Sequence, residues 1–174
     1  MFLSNKTIRE YIEAGKITVI GDIDIESNGL VLHLGPKLLL PIPTEPIDSK
    51  NIPELKYETF DLSQSSYILK PNSFVLGSTK QSIQTERDIM TILDGRSTYA
   101  RVGLAIHITA MVLDGLPFSR ENSVLEIKNL GPYDIVLHEG EKIGTYLFAQ
   151  LSTPIEGEKE SKYKDQDSTT PPKF

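Results

Sequence analysis

A mainly β fold, a barrel or sandwich of short strands, is the architecture the sequence predicts. Three observations carry it. Short apolar or alternating runs recur between clusters of Gly, Pro, Asn and Ser, the pattern of strands separated by tight turns. The chain is globular in composition, with 39% apolar and 24% charged residues. At 174 residues it has the length of one domain, and folding at that size buries roughly 70% of the unfolded surface, enough for a core without disulfide or metal staples. No internal repeat is present.

Ser4 is placed to cap a short first helix. Leu3 and Ile8 sit at staple spacing, Ile8, Tyr11 and Ile12 share a face, and Gly15 suits the exit. The period then changes to that of strands over Ile17–Ile20, Leu30–Leu34, Lys37–Leu40, Tyr67–Leu69 and Phe74–Gly77. Ser27-Asn28-Gly29, Gly35-Pro36, the stretch from Pro41 to Pro46, and Pro71-Asn72 punctuate them. Glu86–Leu93 reads as one or two helical turns ending at Asp94-Gly95. Strands are expected again over Leu104–Leu113, Ser123–Lys128, Asp134–Leu137 and Lys142–Leu151, with turns at Gly131-Pro132 and Glu139-Gly140. From about Pro154 the composition shifts, and only Ile155, Tyr163 and Phe174 are large and apolar. Residues 1–154 are therefore expected as the folded domain and 155–174 as a flexible tail, or as a flap that orders on a ligand.

Composition excludes several classes of function. With no cysteine, disulfide frameworks, thiol nucleophiles and thiolate zinc sites are ruled out. Eighteen basic against 24 acidic residues leave a net charge of −6, unsuited to gripping a nucleic-acid backbone. No apolar run approaches ~18 residues, so no membrane span is expected. The opening residues lack the features of a signal peptide, and a cytoplasmic location is expected. No P-loop, dinucleotide-binding turn or nucleophile elbow occurs.

Three features carry candidate chemistry. The densest polar cluster runs from Asp94 to Gly103. There Ser97 or Thr98 can cap a short helix whose first N–H groups, with Arg96 and the hydroxyls, suit phosphate oxygens. Arg101, four residues from Ser97, shares its face on a helical turn. A capped turn with two solvated arginines fits the same residues. The second feature is Glu126: alternation puts Leu125 and Ile127 on one face of a strand, and Val124, Glu126 and Lys128 on the other. A lone strand glutamate usually faces solvent or pairs with a lysine. The third, His107, lies between apolar residues and reads as a hydrogen-bonded core group. His33, His107 and His138 have no metal-ligand spacing.

Together these residues resemble the dCTP deaminase branch of the dUTPase-like superfamily. The family's pattern G-R-S-S-x-A-R-x-G-L-x-x-H-x-T-A stands here as residues Gly95 to Ala110, with threonine at Thr98 in place of the second serine. Leu125-Glu126-Ile127-Lys128-Asn129 matches L-E-x-x-N, and Gly140-Glu141-Lys142-Ile143-Gly144 matches G-x-x-I-G. Lys162-Tyr163-Lys164-Asp165-Gln166 resembles the tail motif K-Y-x-x-Q. Leu69 to Phe74 followed by Thr79 also fits, so the resemblance spans nearly the whole chain.

The resemblance implies a distorted, jelly-roll-like β-barrel of the dUTPase-like type with a few short helices, assembled as a homotrimer with shared sites. It implies deamination of dCTP to dUTP and ammonia without zinc. Glu126 would take a proton from the water that attacks carbon 4 of cytosine, then protonate the ring and help ammonia leave. Ser97 and Arg101 would orient the water and support the developing charge. Arg96, Ser97, Thr98, Lys162 and Gln166 match triphosphate-binding positions, and Ala110 and Asp114 fall where the family forms its base and sugar pocket. Mg²⁺ would ride on the triphosphate, and dTTP is a candidate feedback ligand.

The chain departs from the pattern in three places. The loop after Thr109-Ala110 keeps Asp114 and Gly115 but loses the proline between them and runs about two residues longer before Glu126. An early D-x-R-L-G signature is reduced to Val31-Leu32-His33-Leu34-Gly35, and Asp167-Ser168 replaces the glycine after the tail glutamine. Two other functions stay open. One is a deaminase that also cleaves the triphosphate to dUMP, or a plain dUTPase, with Asp114 as base; Ala100 and Gly103 look more like the single-function deaminases. The other is a nucleotide-binding regulatory protein that has lost turnover.

Overall fold

Ser4 caps the first helix as expected. Its hydroxyl accepts the Thr7 N–H at 3.5 Å, and the helix, α1, runs over Asn5–Glu13. Ile8 is fully buried and Leu3 joins it in the core, so the hydrophobic staple sets the angle at which α1 leaves the sheet. The computed structural model describes residues 1–157, 163, 166 and 168–173. Among these, no helix is long and apolar enough to cross a membrane.

The architecture is mainly β. In chain order the strands are β1 (Ile17–Ile20), β2 (Ile25–Glu26), β3 (Gly29–His33), β4 (Lys37–Pro41), β5 (Tyr57–Asp61), β6 (Tyr67–Leu69), β7 (Phe74–Ser78), β8 (Ser82–Thr85) and β9 (Ile89–Gly95). A four-residue helix, α2 (Ser97–Ala100), leads to β10 (Leu104–Ala105), β11 (Val124–Asn129), β12 (Ile135–Leu137) and β13 (Lys142–Gln150). They form a five-stranded sheet in the order β10-β11-β7-β4-β5, a four-stranded sheet β2-β3-β13-β9, and the pairs β1-β8 and β12-β6. Every named pairing is antiparallel. The described sheets stay open and do not close into one barrel ladder.

Two expected elements differ. Glu86–Leu93 is not helical: residues 89–95 form β9, paired with β13 over seven consecutive positions from Gly144↔Gly95 to Gln150↔Ile89. Ile89, Thr91 and Leu93 alternate into the core with Met90 and Ile92 half-buried, so pairing imposes the strand period. The expected strand Leu104–Leu113 is confined to Leu104–Ala105. Beyond it the chain leaves the sheet and returns beside β9, where Leu93 N–H donates to Met111 O at 2.7 Å and Leu113 N–H to Thr91 O at 3.0 Å. The short strands β2, β5 and β8 have no counterpart among the expected elements.

β11 alternates as predicted. Leu125 and Ile127 are fully buried while Val124, Glu126 and Lys128 are half-buried on the opposite face. Its end is locked by Asn129, also fully buried, whose Nδ2 donates to Leu69 O at 2.9 Å and Tyr133 O at 2.7 Å. Asn129 Oδ1 accepts from Gly131 N–H at 3.0 Å. Nearby, Gly103 has φ +89°, and a Cβ there would lie 2.3 Å from the Gly131 nitrogen. Only glycine permits both the backbone turn and this approach.

Asn129→Ala removes three hydrogen bonds from a water-free site. It is expected to lower unfolding free energy by about 2–4 kcal/mol, measured by urea denaturation. A loss below about 1 kcal/mol would show that Asn129 does not hold the end of β11.

Candidate active site

Glu126 points from β11, opposite Leu76 of β7, into a cavity of about 530 Å³. Its Oε2 accepts the Ile108 backbone N–H at 3.1 Å. This bond needs the chain after β10 to swing out of the sheet, so the shortening of that strand serves the site. Asp114 and Glu121 also line the cavity, with Tyr57, Phe74 and Tyr163 as its aromatic walls. Such a space, apolar in most of its wall with a few carboxylates converging on it, suits a planar, polar ring.

The segment between the loop and β11 is heavily pinned. Ser119 Oγ donates to Glu121 Oε1, and a Cβ on Gly115 would lie 3.2 Å from that oxygen. Asn122 Nδ2 donates to Thr79 O at 2.9 Å and Gln81 O at 3.2 Å. Ser123 N–H donates to the Thr79 hydroxyl at 3.0 Å, and Ser123 Oγ accepts from the fully buried Tyr146. The wall beside Glu126 is thus rigid where it joins the strand.

The described tail residues lie against the same wall. Gln166 is buried; its Nε2 donates to Asn122 O at 2.8 Å, and Asn122 N–H donates to Gln166 O at 2.8 Å. Gln166 Oε1 accepts from Thr170 Oγ1. Thr169 Oγ1 donates to Lys37 O at 2.9 Å and lies 3.0 Å from Ser78 Oγ. Lys162 lies outside the described residues.

Arg96, Ser97, Thr98 and Arg101 form a second group, at α2. The helix begins after Arg96, which makes no side-chain cap bond, so the capping expected of Ser97 or Thr98 is not made. Arg96 instead pairs with Glu26 at 3.1 Å. Ser97, Thr98 and Arg101 are exposed. Tyr99, half-buried in the same turn, donates its phenol to Glu141 Oε1.

The structure therefore brings Ala110, Asp114, Glu126 and Gln166 to one cavity, while the α2 residues do not line it. Sequence reasoning missed Glu121 and Tyr57. The Ser119-x-Glu121 spacing was the available signal for the first; the second lies on the edge strand β5 and had none. His107 lies with Nε2 3.9 Å from Asp94 Oδ1 and a buried Nδ1 without a hydrogen-bond partner. Among the described residues no group of His, Asp or Glu could hold a metal ion.

A family model described as dCTP deaminase-like matches residues 2–151. The chain is 29% identical over 162 residues to a "dCTP deaminase, dUMP-forming" of Methanobrevibacter smithii, covering 88% of this chain and 82% of that one. It is 31% identical over 166 residues to a protein of the same name from Dictyoglomus thermophilum, covering 90% and 84%. With a "dCTP deaminase" of Halorubrum lacusprofundi it shares 29% over 180 residues, covering 96% and 88%. Among solved structures, 2′-deoxycytidine 5′-triphosphate deaminase from Agrobacterium tumefaciens superposes with a TM-score of 0.64 at 17% identity, over 84% of this chain and 47% of that longer one. EIAV dUTPase superposes with a TM-score of 0.53 at 15% identity, over 84% and 98%. These two show a shared fold.

Burial, then the hydrogen bond to Glu141, pushes the Tyr99 phenol up to about 12. Complete burial raises Tyr146 to about 12 against the lowering effect of its hydrogen bonding with Ser123 and Thr79. Unfolded tyrosines titrate near 10, so the stability these two phenols contribute is complete below about pH 10 and is lost as pH climbs toward about 12. In a spectrophotometric titration of the seven tyrosines, Tyr99 and Tyr146 are expected to ionise last. Ionisation of all seven near pH 10 with the fold intact would contradict this.

Proposed function

Because the chain belongs to the dCTP deaminase-like family, we propose that it is an enzyme that converts dCTP, taken up as its Mg²⁺ complex, to dUTP and ammonia. The observation that carries this reading is Glu126, a half-buried strand carboxylate held by the Ile108 N–H at the wall of a cavity. Its free carboxylate oxygen takes a proton from water as the water oxygen bonds to carbon 4. That proton passes to the ring nitrogen N3. The proton of the new hydroxyl then goes by way of the same carboxylate to the exocyclic amine, the C–N bond breaks, and ammonia leaves with carbon 4 as a carbonyl. A positioned carboxylate acting as base and then acid supplies what an unassisted water lacks.

Ser97 and Arg101 act on the water and the developing charge, and Arg96, Thr98, Lys162 and Gln166 on the triphosphate. Three carboxylates line the cavity, and their field repels phosphate. The base therefore sits beside Glu126, and the phosphates reach away from it toward cations. The α2 side chains do not line this cavity in their own chain, which supports a homotrimer in which a neighbouring copy presents them. Residues 1–154 form the catalytic domain and 155–174 its closing segment.

A second reading has support of its own: hydrolysis continues to dUMP. Two of the relatives named above are called dUMP-forming, and Asp114 stands in the Glu126 cavity as a base for that step. Product analysis separates the two. dUMP beside pyrophosphate indicates the second activity, dUTP alone the first, and nucleotide binding without product a regulatory protein.

Glu126→Gln keeps size and hydrogen bonding but cannot take the proton. Binding of dCTP is expected to survive while deamination falls at least ~10²–10⁴-fold. Unchanged turnover at equal folded concentration would remove Glu126 from the mechanism. Light scattering of the active protein is expected to give three times the chain mass, and an active monomer would contradict shared sites.

A further inference from the structure

A helix as short as α2 does not persist on its own in water, and it lacks a side-chain cap. Something outside must hold it. The Arg96–Glu26 pair is partly exposed, with side chains 26% and 48% accessible, and pairs of that kind hold little. Tyr99 is different. Its ring packs against the core, and its hydroxyl donates to Glu141 Oε1. Glu141 sits in the turn between β12 and β13, where its carbonyl accepts the Leu34 N–H at 2.9 Å and its own N–H reaches His138 O at 3.4 Å. The carboxylate is therefore mounted on fixed backbone. Its second oxygen, Oε2, is buried and has no hydrogen-bond partner, so removing the phenol hydroxyl leaves the carboxylate without its side-chain hydrogen bond and one oxygen away from water.

We infer that Tyr99 and Glu141 are positioning residues, a hydrogen-bonded latch that holds α2 and so aims Arg96, Ser97 and Arg101; the inference rests on the role proposed above for those three. Neither latch residue lines the Glu126 cavity, so both act through α2. They occupy unspecified positions of the two motifs that carry the resemblance, so the pattern itself does not call for them.

The test compares wild type, Tyr99→Phe, Glu141→Ala and Glu141→Gln at equal folded concentration with magnesium dCTP. It measures kcat and KM separately and follows amide hydrogen exchange over residues 97–103 without nucleotide. Tyr99→Phe and Glu141→Ala are expected to lower kcat roughly 10–100-fold, as a displaced catalytic group does. Glu141→Gln still accepts the phenol and is expected within about threefold of wild type. The amides of Ala100 to Gly103 close the turn through Arg96 O, Ser97 O, Tyr99 O and Ala100 O. In Tyr99→Phe they are expected to exchange at least ~10-fold faster, with β13 unaffected. A wild-type kcat in Tyr99→Phe overturns the latch. If wild type itself does not turn over dCTP, the proposed function fails, and exchange alone decides: faster exchange supports the latch and unchanged exchange overturns it.

Discussion

The register of β11 against β7 is the constraint on which the site depends. Pairing Glu126 with Leu76 leaves Leu125 and Ile127 at zero exposure in the core and turns the carboxylate to the other face. A slip of one residue would exchange the faces, bury the charge and expose two large aliphatics. Both ends of the strand resist that slip. Asn129 is held at one end by Leu69, Tyr133 and Gly131, and Ser123 and Asn122 at the other by the Thr79–Gln81 backbone and the Thr79 hydroxyl. Polar groups inside the core thus specify where the Glu126 carboxylate points.

The loop before β11 is held in the same way. Its length would be a source of freedom if it were not tied down. Ser119 holds Glu121, Glu121 packs on the bare backbone of Gly115, and Thr85 N–H donates to Leu116 O at 3.2 Å. These contacts make a braced wall that brings Glu121 to the cavity. Three carboxylates in its lining favour a ligand that offers hydrogen-bond donors, such as an amine or a hydroxyl, over one that offers phosphate at that point.

Much of this was legible in the residues. The Ser4 cap, the staple to Ile8 and the alternation of Val124–Asn129 are local patterns, and local physics decides them. β9 was misread because Ile89, Ile92 and Leu93 suit a helical face as well as a strand; only the seven-residue ladder with β13 separates the two. β10 stops early because Ile108 spends its N–H on Glu126, a contact between residues 18 apart. Motif resemblance picked out Ala110, Asp114, Glu126 and Gln166, which do share a cavity. It carried no information on Tyr57, whose place there follows from a sheet order that crosses β4 and β7.

The docking of Gln166 gives the tail a thermodynamic character of its own. Both ends of its amide are engaged within the chain, Nε2 with Asn122 O and Oε1 with Thr170, while its backbone carbonyl takes the Asn122 N–H. A nucleotide that recruits this amide exchanges one set of hydrogen bonds for another. The gain is the difference between the sets, and in water such differences are small even where each bond is strong. For a ligand that recruits Gln166, binding is therefore a near-balanced competition with the contacts this amide already makes. A change as small as loss of the Thr170 hydroxyl, which donates to Gln166 Oε1, shifts that balance.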